Sequence, residues 1–239
     1  LPNGLSGLNL VYRLNALQCY LDLLSARFIT MTRIKICGIT RVEDALAAAH
    51  SGADALGLVF YDKSPRYVTI KQAAQLAAAI PPFVTRVGLF VNASAETVQE
   101  VLQQVQLDAL QFHGEEEPKF CAQFDRPYLK AVRVKCGVDL VQCAARYQDA
   151  QGLLLDAFIE GTHGGTGVSF DWTLIPHNLP LPVVLSGGLH SRNVTEAIKQ
   201  VRPWAVDVSS GVEAAKGIKD AAKIAAFINE VKKIDVQLS

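Results

Sequence analysis

From Met31 onward the chain alternates short strand-like runs with Ala-rich stretches of helical periodicity, and few folds accept that rhythm. The strand-like runs cover 33–37, 54–60, 84–91, 107–112, 128–134, 152–156, 182–186 and 205–209. Helical spacing is read between them over 43–51, 69–79, 95–104, 116–124, 138–147, 192–200 and 218–232, with a short helix near 171–175. Strand, turn and helix in repetition call for right-handed crossovers and a parallel sheet. Eight such units in about 205 residues fit a small (β/α)8 TIM barrel better than a doubly wound sheet. Thr40 with Glu43 reads as a capping box, and Ser94 with Thr97 as a weaker helix start. Gly52 and Pro81-Pro82 serve as stops.

No Pro-rich, Ser-rich or charged linker divides the region, so 31–239 is read as one barrel domain. Residues 1–30 are Leu-rich, with Arg13 and Arg27, and lack the compact apolar core and cleavage site of a secretory signal. They are expected to be an N-terminal extension outside the fold.

Composition narrows the function. With 23 basic and 23 acidic residues the net charge is zero, which argues against binding nucleic acid or an anionic membrane. No apolar run approaches the roughly 18–20 residues of a membrane span. The five cysteines are scattered without a CxxC pair. That suits a reducing, cytoplasmic setting and excludes a disulfide framework; no metal-ligand spacing is found, so no metal is expected.

In such barrels chemistry sits at the C-terminal ends of the strands. Three Gly-rich loops fall there: Gly164-Gly165-Thr166-Gly167, Ser186-Gly187-Gly188 and Ser209-Ser210-Gly211. Glycines let backbone N–H groups approach an anion, so Gly165, Gly167, Ser186, Gly187, Gly188, Ser209, Ser210 and Gly211 are candidate phosphate-binding residues. Each loop alone would also serve as an ordinary turn. Together they point to a small phosphorylated substrate.

Alternation along the first strand puts Lys35 and Cys37 on the barrel interior and Ile34 and Ile36 against the helices. Cys37 is either an inert small hydrophobe or a thiolate assisted by Lys35. Lys35 needs a partner inside, and Asp207 on the closing strand is the expected one, with or without catalytic consequence. Asp156 ends the apolar run Leu153-Leu154-Leu155; it is a candidate general acid or a cap on the next loop. Arg66 either forks onto a substrate carboxylate or is a solvated loop residue. Gln111 and His113 alternate inward at the mouth, with a purely structural histidine as the equal alternative.

Several segments, in order, carry a resemblance. They are Lys35-Ile36-Cys37-Gly38-Ile39-Thr40, Val87 to Asn92, Gln111-Phe112-His113-Gly114-Glu115-Glu116, Leu154-Leu155-Asp156, Gly164 to Gly167 with Phe170-Asp171-Trp172, Leu185 to Leu189 and Val206 to Glu213. Together they closely resemble the phosphoribosylanthranilate isomerases of tryptophan biosynthesis. The resemblance implies a cofactor-free barrel that performs an Amadori rearrangement of N-(5-phosphoribosyl)anthranilate. It implies Cys37 as general base, Asp156 as general acid, Arg66 at the anthranilate carboxylate and the glycine loops at the phosphate. Lys35, Gln111 and His113 complete the expected substrate-binding set, in a monomer or homodimer. Related phosphate-binding barrels, such as indole-glycerol-phosphate synthase or ribulose-phosphate epimerase, and a catalytically silent barrel are the alternatives.

Overall fold

The computed structural model describes residues 31–135, 137–157 and 171–238. The segment 1–30 lies outside the described residues, as do Gly165 and Gly167. Eight parallel strands close into a barrel in sequence order: β1 (Arg33–Cys37), β2 (Ala55–Val59), β3 (Thr85–Phe90), β4 (Ala109–Phe112), β5 (Tyr128–Val134), β6 (Gly152–Ala157), β7 (Val183–Leu185) and β8 (Ala205–Val208). The expected strands are all present, some shorter than read. The helices are α1 (Val42–Ser51), α2 (Ile70–Ala79), α3 (Ala95–Gln104), α4 (Pro118–Ala122), α5 (Leu140–Arg146), α6 (Val194–Val201) and α7 (Ala221–Leu238). One-turn 3-10 segments lie at Trp172–Leu174 and Ser210–Val212.

Two apolar compartments follow from the period-two strands. Outward residues such as Ile34, Ile36, Leu56, Leu58, Leu153 and Leu155 pack beneath the helices in one large core. Inward residues form smaller layers. Leu129, Ala131, Leu154, Val184 and Ala205 fill the lower barrel, while Cys37, Val59, Leu89 and Val91 cluster above them with Tyr61. The barrel interior is thus a packed plug that closes the floor of whatever opens at the C-terminal mouth.

Two expectations are corrected. Thr40 and Glu43 form no capping box, because α1 starts after Arg41, whose side chain makes no cap. Thr40 Oγ1 instead donates to the carbonyl of Gly217. The box belongs to α2, where Thr69 and Gln72 exchange side-chain and backbone bonds. The last helix does not begin at 218. Residues 213–219 form a hairpin, β9 (Glu213–Ala215) and β10 (Ile218–Lys219), and the Asp220 carboxylate accepts the N–H groups of Ala222 and Lys223 at the start of α7. Ser94 does accept Thr97 N–H at the start of α3, and Gly52 ends α1 in the left-handed region at φ 100°. No helix among the described residues is long and apolar enough to cross a membrane.

Candidate active site

A cavity of about 290 Å³ opens at the C-terminal end of the barrel. Of the expected site residues, Cys37, Arg66, Gln111, His113, Asp156, Ser186, Gly187, Gly188, Ser209 and Ser210 all line it. Lys35 and Gly211 do not; each stands just behind the wall. Val59, Leu89 and Val91 supply its apolar side.

Cys37 ends β1 facing inward and is 5 % exposed. Its register partner on β2 is Gly57, where a Cβ would come within 2.8 Å of the thiol sulfur. Behind it, Lys35 Nζ donates to Asp207 Oδ1 at 2.8 Å, and the two residues are register partners across the barrel seam. The expected pair therefore exists. Ser186 Oγ donates to the other oxygen of Asp207 at 3.2 Å. Burial would pull the Lys35 ammonium down, but Asp207 and Cys37 outweigh it and hold it above the usual lysine range. Burial pushes the Cys37 thiol up, and Asp207 adds to this; Lys35 and Lys219 pull it back part of the way. Lys35 thus meets the cavity through Cys37 rather than by contact.

Asp156 is the penultimate residue of β6, three strands around the barrel from β1, and is 4 % exposed. Its Oδ1 accepts the N–H of Ala157 at 2.9 Å, so part of the capping alternative is realised within one residue. Its Oδ2 lies 3.1 Å from His113 Nε2, and His113 Nδ1 lies 2.8 Å from Gln111 Nε2. With Gln111 donating to Nδ1, the imidazole carries its proton on Nε2 and donates it to Asp156 Oδ2. Three side chains from two strands therefore form one line that fixes the carboxyl group. Gln111 Oε1 is buried without a partner among the described residues.

The β4 terminus is braced from outside. Lys130 Nζ donates to Gly114 O at 2.6 Å and to Glu116 Oε2 at 2.9 Å, while Glu116 accepts the N–H groups of Asn92 and Gly114. This buried pair was not anticipated, because a single lysine inside an apolar strand gives no periodic signal.

Gly187 and Gly188 adopt φ of 84° and 64°, left-handed conformations that favour glycine. A Cβ on Gly187 would sit 2.6 Å from Ala157 N and 3.0 Å from Asp156 Oδ1, so this loop passes directly over the acid. Gly211 presses on the carbonyl of Leu189, bringing the loops after β7 and β8 together.

Arg66 is 8 % exposed, not a solvated loop residue. Its Nε and Nη2 donate to Glu213 Oε1 and Oε2 at 2.7 and 2.8 Å. Burial would raise the Glu213 carboxyl, but Arg66 and Lys219 hold it below the usual range. Lys219 Nζ bonds Glu213 Oε1 at 3.0 Å and Ser209 O at 3.1 Å. Burial pulls its ammonium below the usual lysine range, against the pull of Glu213. Sequence reasoning gave Glu213 and Lys219 no role. The Asp220 cap was the signal that would have freed Lys219 from the predicted helix.

The described residues hold no group of three or more His, Cys, Asp or Glu side chains able to hold a metal ion. The site is built from one thiol, one braced carboxyl, a forked arginine and two glycine turns, which is equipment for moving protons on an anionic substrate.

Comparison with known proteins agrees with that chemistry. Residues 34–230 match the family model described as N-(5'phosphoribosyl)anthranilate (PRA) isomerase. The N-(5'-phosphoribosyl)anthranilate isomerase of Nitrosospira multiformis is 60% identical over 199 residues, 83% of this chain and 96% of that protein. The protein of the same name from Pseudomonas syringae pv. tomato is 61% identical over 199 residues, 83% and 97% of the two chains. The crystal structure of phosphoribosyl anthranilate isomerase from Thermotoga maritima superposes with a TM-score of 0.79 at 45% identity, over 85% of this chain and all of the other. Match and identity extend across the whole barrel, and the chain belongs to the N-(5'-phosphoribosyl)anthranilate isomerase family.

Proposed function

We propose that Cys37 is the general base and Asp156 the general acid of the family's reaction. The chain is an isomerase, and the step is the Amadori rearrangement of N-(5-phosphoribosyl)anthranilate to 1-(2-carboxyphenylamino)-1-deoxyribulose 5-phosphate in tryptophan biosynthesis. Asp156 gives its proton to the furanose ring oxygen. The C1′–O bond breaks as the nitrogen lone pair forms an iminium. The cationic nitrogen acidifies the C2′–H bond, so the Cys37 thiolate suffices to take that proton. The C–H electrons become a C1′=C2′ bond and the nitrogen recovers its pair. The enolamine then loses its hydroxyl proton and gains one at C1′, giving the ketone.

One observation carries the assignment. The two groups stand on β1 and β6, on separate walls of a single cavity small enough for one sugar phosphate. His113, held by Gln111, keeps the carboxyl of Asp156 aimed inward. Arg66 receives the anthranilate carboxylate, and the loops at Ser186-Gly187-Gly188 and Ser209-Ser210-Gly211 take the phosphate, with Gly165 and Gly167 as further candidates outside the described residues. A solved relative is described as bound to reduced 1-(o-carboxyphenylamino)-1-deoxyribulose 5-phosphate, a ligand with both a carboxylate and a phosphate.

The same proposal has the barrel at 31–239 carrying the activity without residues 1–30, in the cytoplasm, as monomer or homodimer. The test is growth without tryptophan in a strain lacking the isomerase. The full chain restores growth, and chains bearing Cys37→Ala or Asp156→Ala do not; growth with either variant removes that residue from the mechanism.

A further inference from the structure

The β9–β10 hairpin reaches the cavity wall through two charged side chains. Glu213 forks onto the Nε/Nη2 edge of Arg66, and its Oε1 also accepts Lys219 Nζ and, at 3.4 Å, Gly217 N–H. The side chains of Arg66, Glu213 and Lys219 are 10%, 6% and 0% exposed. Two cations share one carboxylate, so the buried cluster holds one positive charge in excess. Such a charge is costly until an anion joins it.

A guanidinium offers two edges for a carboxylate, Nε/Nη2 and Nη1/Nη2. Glu213 occupies the first. Nη1 has no hydrogen bond or ion pair among the described residues, and Arg66 lines the cavity. The stem is fixed as well: Arg66 Cδ lies so close to Gly38 that any Cβ there would overlap it. The hairpin turn is pressed on the same loop, since a Cβ on Gly217 would meet Pro65 O at 2.9 Å.

We propose that Glu213 is a positioning residue for substrate selection: by locking one edge of Arg66 it presents the other to the ring carboxylate. This rests on the reading of Arg66 as the carboxylate receptor. Glu213 does not touch substrate. It makes the enzyme selective for an aromatic amine bearing an acid group, and the arriving carboxylate neutralises the excess charge.

The test is calorimetric binding of two ligands, reduced 1-(o-carboxyphenylamino)-1-deoxyribulose 5-phosphate and its counterpart without the ring carboxyl. Arg66→Met is expected to weaken the first roughly 10- to 100-fold, the value of a charged hydrogen-bond pair, and the second by less than about twofold. Glu213→Gln is expected to show the same selectivity, and to add nothing further in the Arg66→Met background. If Glu213→Gln weakens both ligands alike, leaves both unchanged, or adds fully to Arg66→Met, the positioning role is overturned while the reading of Arg66 stands. If Arg66→Met itself fails to discriminate the ligands, that reading falls and the inference with it. Should Glu213→Gln not fold, Glu213→Asp carries the same comparison, with the charge kept and the reach shortened by one methylene.

Discussion

Gly57 and Cys37 are register partners on β2 and β1, and the thiol sulfur occupies the space that a side chain at 57 would need. The inward face of the barrel is therefore left open at one point to admit the reactive atom. The 2.8 Å approach is closer than a real Cβ tolerates, so Gly57→Ala must move the thiol or the strand. The expected result is a fall in kcat of tenfold or more, with a loss of stability of about 1–3 kcal/mol typical of overpacking. Steady-state kinetics beside a thermal melt check it; an unchanged kcat shows that the thiol's place is not critical.

The line from Gln111 through His113 to Asp156 gives a second expectation. His113→Ala removes the only side-chain donor that the described residues offer to Asp156 Oδ2. That donor stabilises the negative charge developing on Asp156 as it gives up its proton, a charged hydrogen bond of about 1.5–3 kcal/mol, so kcat falls roughly 10- to 100-fold. Gln111→Met acts more weakly in the same direction. A KM effect with kcat preserved would mean instead that His113 serves binding.

The pH dependence of thiol chemistry follows from the upward shift at Cys37. Only thiolate reacts with iodoacetamide, and a raised pKa means less thiolate at any given pH. The inactivation rate at Cys37 is expected to rise about tenfold per pH unit and still be rising at pH 9. A plateau below about pH 8 would show that Lys35 and Lys219 outweigh burial. Protection by a substrate analogue ties the reaction to the site.

Lys130 tests structure apart from chemistry. Lys130→Met strands the Glu116 carboxylate, whose remaining donors are the N–H groups of Asn92 and Gly114. Breaking a buried pair costs about 3–5 kcal/mol, so a denaturant midpoint drops sharply. The fraction that stays folded is expected to retain turnover within a few fold, since Lys130 does not line the cavity.

What the sequence made legible was whatever depends on short periods. Strand alternation places Lys35, Cys37 and Asp207 inside, and a closed barrel brings the first and last strands together, so the Lys35–Asp207 pair is legible in the sequence itself. The inward setting of Gln111 and His113 came the same way. Contacts set by barrel tilt could not be read. His113 reaches Asp156 across an intervening strand, and Arg66 meets Glu213 147 positions away. The hairpin was hidden for a different reason. Strands of three and two residues have no period to detect, and the helical pattern of α7 ran back over Ile218 and Lys219. Thr40 misled as a cap because its hydroxyl is claimed by Gly217, on that same unseen hairpin.

The most direct test of the account is turnover of Cys37→Ser and Asp156→Asn, followed by the decay of anthranilate-derived fluorescence with substrate generated in situ. Both variants keep size and fold while removing the base or the acid, and each is predicted to lose about 10²–10⁴ in kcat. Near-normal turnover in either variant would contradict the paired acid and base on which the mechanism stands.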